Sequence, residues 1–180
     1  MRRLPSESVT VTTDGVYFDW VSTIGVDAVL AKGGPNANTY VYDPPAESFG
    51  DDPLRMLRAA RFIAGYGLEP DQELTDAVVA MRERLGIVSA ERIRDELDKL
   101  MVVEDPSAGL WFLADTGLID EFLPELTAMR LEQDPIHRHK DVLAHTIAVV
   151  ANVRARLDDG TPNRTTRLAA LFHDVGKPKT

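Results

Sequence analysis

The sequence predicts a mainly α-helical chain that carries a small β-hairpin at its N-terminal end. Three observations carry that expectation. From Gly50 onward, apolar residues recur at helical spacing between Asp-Pro or Ser caps and closing glycines. Before that point, β-branched residues flank an Asp-Gly turn. And 44% hydrophobic with 27% charged residues over 180 positions is the balance of a chain that buries a core.

Each element follows in order. Val9-Thr10-Val11-Thr12-Thr13 and Val16-Tyr17-Phe18-Asp19-Trp20 read as two strands about the Asp14-Gly15 turn. The turn-rich run Gly33 to Asn38 precedes a short strand, Thr39 to Tyr42, and Asp43-Pro44-Pro45 breaks the chain. Two or three strands are marginal alone, so residues 1–48 read as the edge of a larger domain. Asp51-Asp52-Pro53 starts a helix over Leu54 to Ala64, closed by Gly65 and Gly67. Asp71 starts a second, through about Arg84. Ser89 caps a third, Ala90 to about Val102, and Asp105-Pro106 opens a fourth that Gly117 ends. Two more are expected, about Lys140 to Leu157 and, after Asn163, Arg164 to Asp174.

Composition excludes several classes. Twenty basic against 29 acidic residues give a net charge of −9, so bulk attraction to nucleic acid is excluded and any such contact needs a local basic patch. With no cysteine, there is no disulfide scaffold, no cysteine-based zinc finger and no thiol nucleophile, in keeping with a cytoplasmic setting. No apolar run reaches the roughly 18 residues of a membrane-spanning helix.

The local basic patch lies on the helix after Asp51. Arg55, Arg58 and Arg61 recur every three residues, each about 60° around the helix from the last, and share one broad face. Leu54, Leu57 and Phe62 lie to the other side and pack down. Asp52 precedes Arg55 by three residues. One reading is a solvated amphipathic face with a surface ion pair worth ~0–1 kcal/mol. The other is a face that reads a nucleotide: a guanidinium is all donor and a carboxylate all acceptor, so a fixed pair can satisfy a base edge, with further arginines for phosphates.

A second constellation closes the chain. Of the four histidines, His137, His139, His145 and His173, the third lies within a predicted helix and the last is followed by Asp174. Imidazole and carboxylate suit a divalent metal, and two antiparallel helices can bring His145, His173 and Asp174 together.

The run Ser48-Phe49-Gly50-Asp51-Asp52-Pro53-Leu54-Arg55-Met56-Leu57-Arg58-Ala59-Ala60-Arg61-Phe62 resembles the neck-helix motif of class II tRNA nucleotidyltransferases, the CCA-adding enzymes and bacterial poly(A) polymerases, with Asp51 where the family has Glu. The resemblance implies that Asp52 and Arg55 template the incoming CTP or ATP and that Arg58 and Arg61 line the nucleotide site. Ser89-Ala90-Glu91-Arg92-Ile93 is similar to the segment that buttresses that helix, with Ile93, Leu97 and Leu100 inward and Glu91 and Arg92 solvated. His145 with His173-Asp174 resembles the first three ligands of an HD domain, whose fourth is a distal Asp. The implied organisation is a head remnant over 1–48, a nucleotide- and RNA-binding neck over 49–130 and the first part of an HD domain over 131–180.

The family's reaction adds nucleotides to a tRNA 3′ end using Mg²⁺ held by an Asp-x-Asp pair. These 180 residues contain no Asp-x-Asp, so the chain by itself is expected to be inactive. The expected partners are the tRNA 3′ end, CTP and ATP, with no membrane, and at the incomplete histidine site at most weak binding of a divalent transition metal is expected. Two rivals stand beside this reading: a metal-dependent HD phosphohydrolase and a non-catalytic RNA-binding helical module.

Overall fold

The computed structural model describes residues 9–11, 29–33, 37–41, 45–130 and 141–177. The protein is mainly α-helical. Its strands are β1 (Val9–Val11), β2 (Val29–Gly33) and β3 (Ala37–Val41), in one antiparallel sheet of order β1-β3-β2. Val9 pairs with Tyr40 and Val29 with Val41. β2 and β3 therefore pair with each other, and β1 adds to the far side of β3. The other arm expected for β1, Val16 to Trp20, lies outside the described residues, as do His137 and His139.

The helices are α1 (Pro45–Asp51), α2 (Arg55–Tyr66), α3 (Gln72–Met81), α4 (Ala90–Met101), α5 (Ser107–Asp115), the single turn α6 (Pro124–Thr127), α7 (Val142–Asn152) and α8 (Arg164–Phe172). Their ends follow from local chemistry. Asp71 accepts the Leu74 N–H at 2.8 Å to start α3, Asp105 accepts the Ser107 N–H at 2.9 Å before α5, and Asp141 accepts the Leu143 N–H at 2.9 Å to start α7. Gly67 ends α2 in the left-handed region at φ 61°, as a glycine can without strain.

Three expectations need correction. The Pro44-Pro45 break is the start of α1, because Pro45 occupies a first-turn position where a helix does not use its N–H. The helix from Asp71 stops at Met81 and tightens into a 3₁₀ segment, Arg82–Ile87. There Arg82 reaches the Thr116 carbonyl at 3.4 Å and Glu121 at 3.5 Å. And α7 ends at Asn152 rather than near Leu157, because Val153 turns extended and its carbonyl is taken by Arg167 at 2.9 Å.

One buried cluster runs from Phe49 to Leu171. Helix α2 is its centre: Met56, Leu57, Ala59, Ala60, Phe62 and Ile63 are buried, and it packs against α4 and α5. The α2–α5 approach is close enough that a Cβ on Gly109 would collide with the Ala60 carbonyl oxygen. Leu54, Leu57 and Phe62 pack down as expected, as do Leu97 and Leu100 of α4. Each such leucine contributes about 1.5–3 kcal/mol by leaving water. Helix α7 packs on α8 and α5, and α8 on α4, so the histidine end shares this core.

Candidate functional site

Between α1 and α2 the backbone makes a tight turn. The Asp52 N–H donates to the Ser48 carbonyl at 3.2 Å, and the Arg55 N–H donates to the Asp52 carbonyl at 3.0 Å. Asp52 thus sits in the turn before α2 rather than in its first helical turn. Its carboxylate accepts the Leu54 N–H at 3.2 Å, at the positive end of the helix where an anion is favoured. Arg92 of α4 completes the arrangement, its Nη2 donating to the two carboxylate oxygens at 3.0 and 3.3 Å. With side chains 29% and 54% exposed, this pair contributes ~0–1 kcal/mol, so its value is in aiming Asp52.

Arg55 is half-buried, and its Nη1 donates to the Ser48 hydroxyl at 2.7 Å. Arg58 is also half-buried, one turn along. Arg61 donates through Nε to Glu96 Oε2 at 3.0 Å, and the other Glu96 oxygen accepts Lys99 at 2.7 Å. Glu96 itself is buried. Arg84 adds a further cation at the near end, donating to the Gly50 carbonyl at 2.8 Å. Asp52 and Arg55 are therefore each fixed by a partner at one end of α2, while Arg61 at the other end is held by α4.

Sequence reasoning missed four of these groups. Arg92 reads as solvated, yet it holds Asp52 from 40 residues away. Ser48 and Arg84 carry no signal beyond their polarity. Glu96 does carry one, since it lies three residues after Ile93 and four before Leu100, on the face that packs inward.

The histidine cluster forms where α7 meets α8. His145 stands in the first turn of α7, its N–H donating to the Asp141 carbonyl at 3.0 Å. His173 caps the end of α8 and Asp174 follows it. The His145 and His173 ring centres are 5.6 Å apart, and one ligand atom from each of the three residues lies within 4.8 Å of the others. His173 Nδ1 is 2.6 Å from the Ala170 carbonyl oxygen, which can only accept, so Nδ1 carries a proton, and Nε2 lies 3.2 Å from Asp174 Oδ2. A carbonyl-bound Nδ1–H is the usual orientation of a metal-binding histidine. Asp174 is buried, and its carboxyl is held below the ordinary aspartate value. The Lys177 hydrogen bond is the main cause, outweighing burial, with help from the charges of His173, Lys177 and His145. The donor set fits a divalent cation.

Arg167, unremarked in the sequence, anchors this end. It is 1% exposed and donates to the carbonyls of Val153 at 2.9 Å, Met101 at 3.0 Å, Val103, and Glu104 at 2.8 Å. One guanidinium thus ties the ends of α4 and α7 to α8. Burial pulls its pKa below the ordinary arginine value, against the opposing effect of Glu104 and then Asp105. The group stays charged at any ordinary pH.

Among the described residues no helix is long and apolar enough to cross a membrane. A family model described as "Probable RNA and SrmB- binding site of polymerase A" matches residues 67–130. The chain is 39% identical over 135 residues to the A-adding tRNA nucleotidyltransferase of Deinococcus radiodurans, covering 72% of this chain and 30% of that protein. It is 35% identical over 140 residues to the Multifunctional CCA protein of Xanthomonas campestris pv. campestris, covering 74% and 33%. The Multifunctional CCA protein of Neisseria gonorrhoeae is 34% identical over 137 residues, covering 74% and 32%. The chain spans roughly a third of the length of these relatives.

Proposed function

We propose, on the premise that this chain belongs to the tRNA nucleotidyltransferase and poly(A) polymerase family, that the segment from Asp52 to Arg61 selects the nucleotide added to a tRNA 3′ end. The observation that carries this is the paired fixing of Asp52 by Arg92 and of Arg55 by Ser48 at one end of α2. A carboxylate can accept from the exocyclic amine shared by cytosine and adenine, and a guanidinium can donate to their ring acceptors. Uracil and guanine present a carbonyl where that amine would be, which leaves Asp52 facing another acceptor. Such a site discriminates because a wrong base leaves a polar group of the site without its partner. Arg58 stands next along the face toward the phosphates, and Arg61 is available there once Glu96 is outcompeted. Residues 67–130 supply the surface that meets the RNA.

The transfer itself needs Mg²⁺ on paired carboxylates, and no Asp-x-Asp occurs in these 180 residues, so they do not fit that metal pair. The chain alone therefore selects and binds but does not transfer. Titrating it with each nucleoside triphosphate should show CTP and ATP bound more tightly than UTP and GTP, with the preference lost in Asp52→Ala and Arg55→Ala. Equal binding of all four would refute the reading. Incubation with Mg²⁺, CTP, ATP and a tRNA lacking its terminal CCA should give no extended product.

The convergence of His145, His173 and Asp174 within 4.8 Å favours a second site, which would hold a divalent transition metal. A bound ion there supplies Lewis-acid chemistry for phosphate-ester hydrolysis. His145 and His173 would give imidazole nitrogens and Asp174 a carboxylate oxygen. Calorimetry with Ni²⁺ or Mn²⁺ should show weak binding that His145→Ala abolishes.

A further inference from the structure

We infer that Lys177 is the resident cation of the histidine cluster, and that a divalent metal enters only by displacing its ammonium from Asp174. The inference rests on the metal reading above. Among the described residues Asp174 Oδ2 meets Lys177 Nζ at 2.6 Å and His173 Nε2 at 3.2 Å. The Asp174 carboxylate meets the Lys177 ammonium in the shorter of the two contacts, so Lys177 is the cation that sits on Oδ2. A metal coordinated by Asp174 and His173 would need that same oxygen and the same space.

The two partners differ in how they can respond. The Asp174 side chain is 9% exposed and is held in the turn that follows α8, whereas the Lys177 side chain is 59% exposed. The ammonium can therefore swing into water on its flexible stem without unpacking the core. Lys177 thus sets the affinity of the cluster, as a built-in competitor three residues from the ligand it covers.

The test is calorimetric titration of the 180-residue chain with Ni²⁺, comparing the parent with Lys177→Met and Lys177→Arg, each checked for unchanged helicity. Removing the charge removes both the competing pair and its repulsion of the dication, so Lys177→Met should bind roughly tenfold more tightly. Lys177→Arg should bind like the parent, and His145→Ala in the Lys177→Met background should lose the gain. Equal or weaker binding by Lys177→Met, with the parent still binding, overturns the inference and leaves the metal reading standing. No binding by the parent or by Lys177→Met overturns both.

Discussion

Asp52 and Arg61 are held from α4, by Arg92 and Glu96, at separations of 40 and 35 residues along the chain. His173 and Asp174 are held by Ala170 and Lys177, each three residues away. The first site is a product of helix packing throughout: when α4 moves on α2, the aim of Asp52 and the restraint on Arg61 change together. The second is locally built at α8 and depends on packing at one point, the arrival of His145 on α7. The contrast separates what a distant perturbation can reach. It should alter the arginine face broadly but reach the histidine cluster only through the α7–α8 contact.

Arg167 is the sharpest way to break that contact. Arg167→Met keeps bulk and removes every donor to four backbone carbonyls. Stability should fall by about 3–5 kcal/mol, measured by denaturant unfolding. At temperatures where the variant remains folded, the His145 imidazole resonance should move toward that of a solvated histidine, while those of His173 move less. A loss under 1 kcal/mol would show that the four carbonyls are satisfied without it.

Glu96 tests the other region. Glu96→Gln keeps the shape and removes the charge that Arg61 and Lys99 share, for an expected loss of about 1–2 kcal/mol. Freed of its carboxylate, Arg61 becomes available to phosphate, so triphosphate binding should strengthen a few-fold even as stability falls. The histidine resonances should be unchanged. Binding that weakens in step with stability would mean that Glu96 orients Arg61 for the ligand rather than withholding it.

The smallest effect concerns Asp105, whose cap precedes α5 at the core between the two regions. Asp105→Ala should cost about 1 kcal/mol at neutral pH. Its carboxyl is held below the ordinary aspartate value by hydrogen bonds from the Ser107 side chain and backbone. A depressed folded-state pKa stabilises fully above the unfolded-state value and loses that contribution as pH falls through the folded one. The difference between parent and variant should therefore be constant at neutral pH and close on strong acidification. A difference that widens in acid would contradict the assignment.

The helical class, most helix starts and the inward faces of α2 and α4 were legible because they rest on spacing and on side chains that cap their own backbone. Asp71 and Asp105 each satisfy an N–H two or three residues ahead, and no tertiary contact is needed to foresee it. The seven residues singled out as functional were likewise legible as two groups. Their partners were not, because Arg92, Glu96 and Ser48 become partners only once α1, α2 and α4 are packed.

The sequence by itself determined where most helices begin and which faces turn inward, since these depend on neighbours within about one turn. Tertiary structure alone decided the early stop of α7, the 3₁₀ segment after α3 and the pairing of Asp52 with Arg92. In the first two a distant or buried arginine engages backbone carbonyls, and in the third a carboxylate is claimed across 40 residues. The reason is common to them: a polar group left inside or against a packed core must find a partner, and which partner is within reach is a property of the packing.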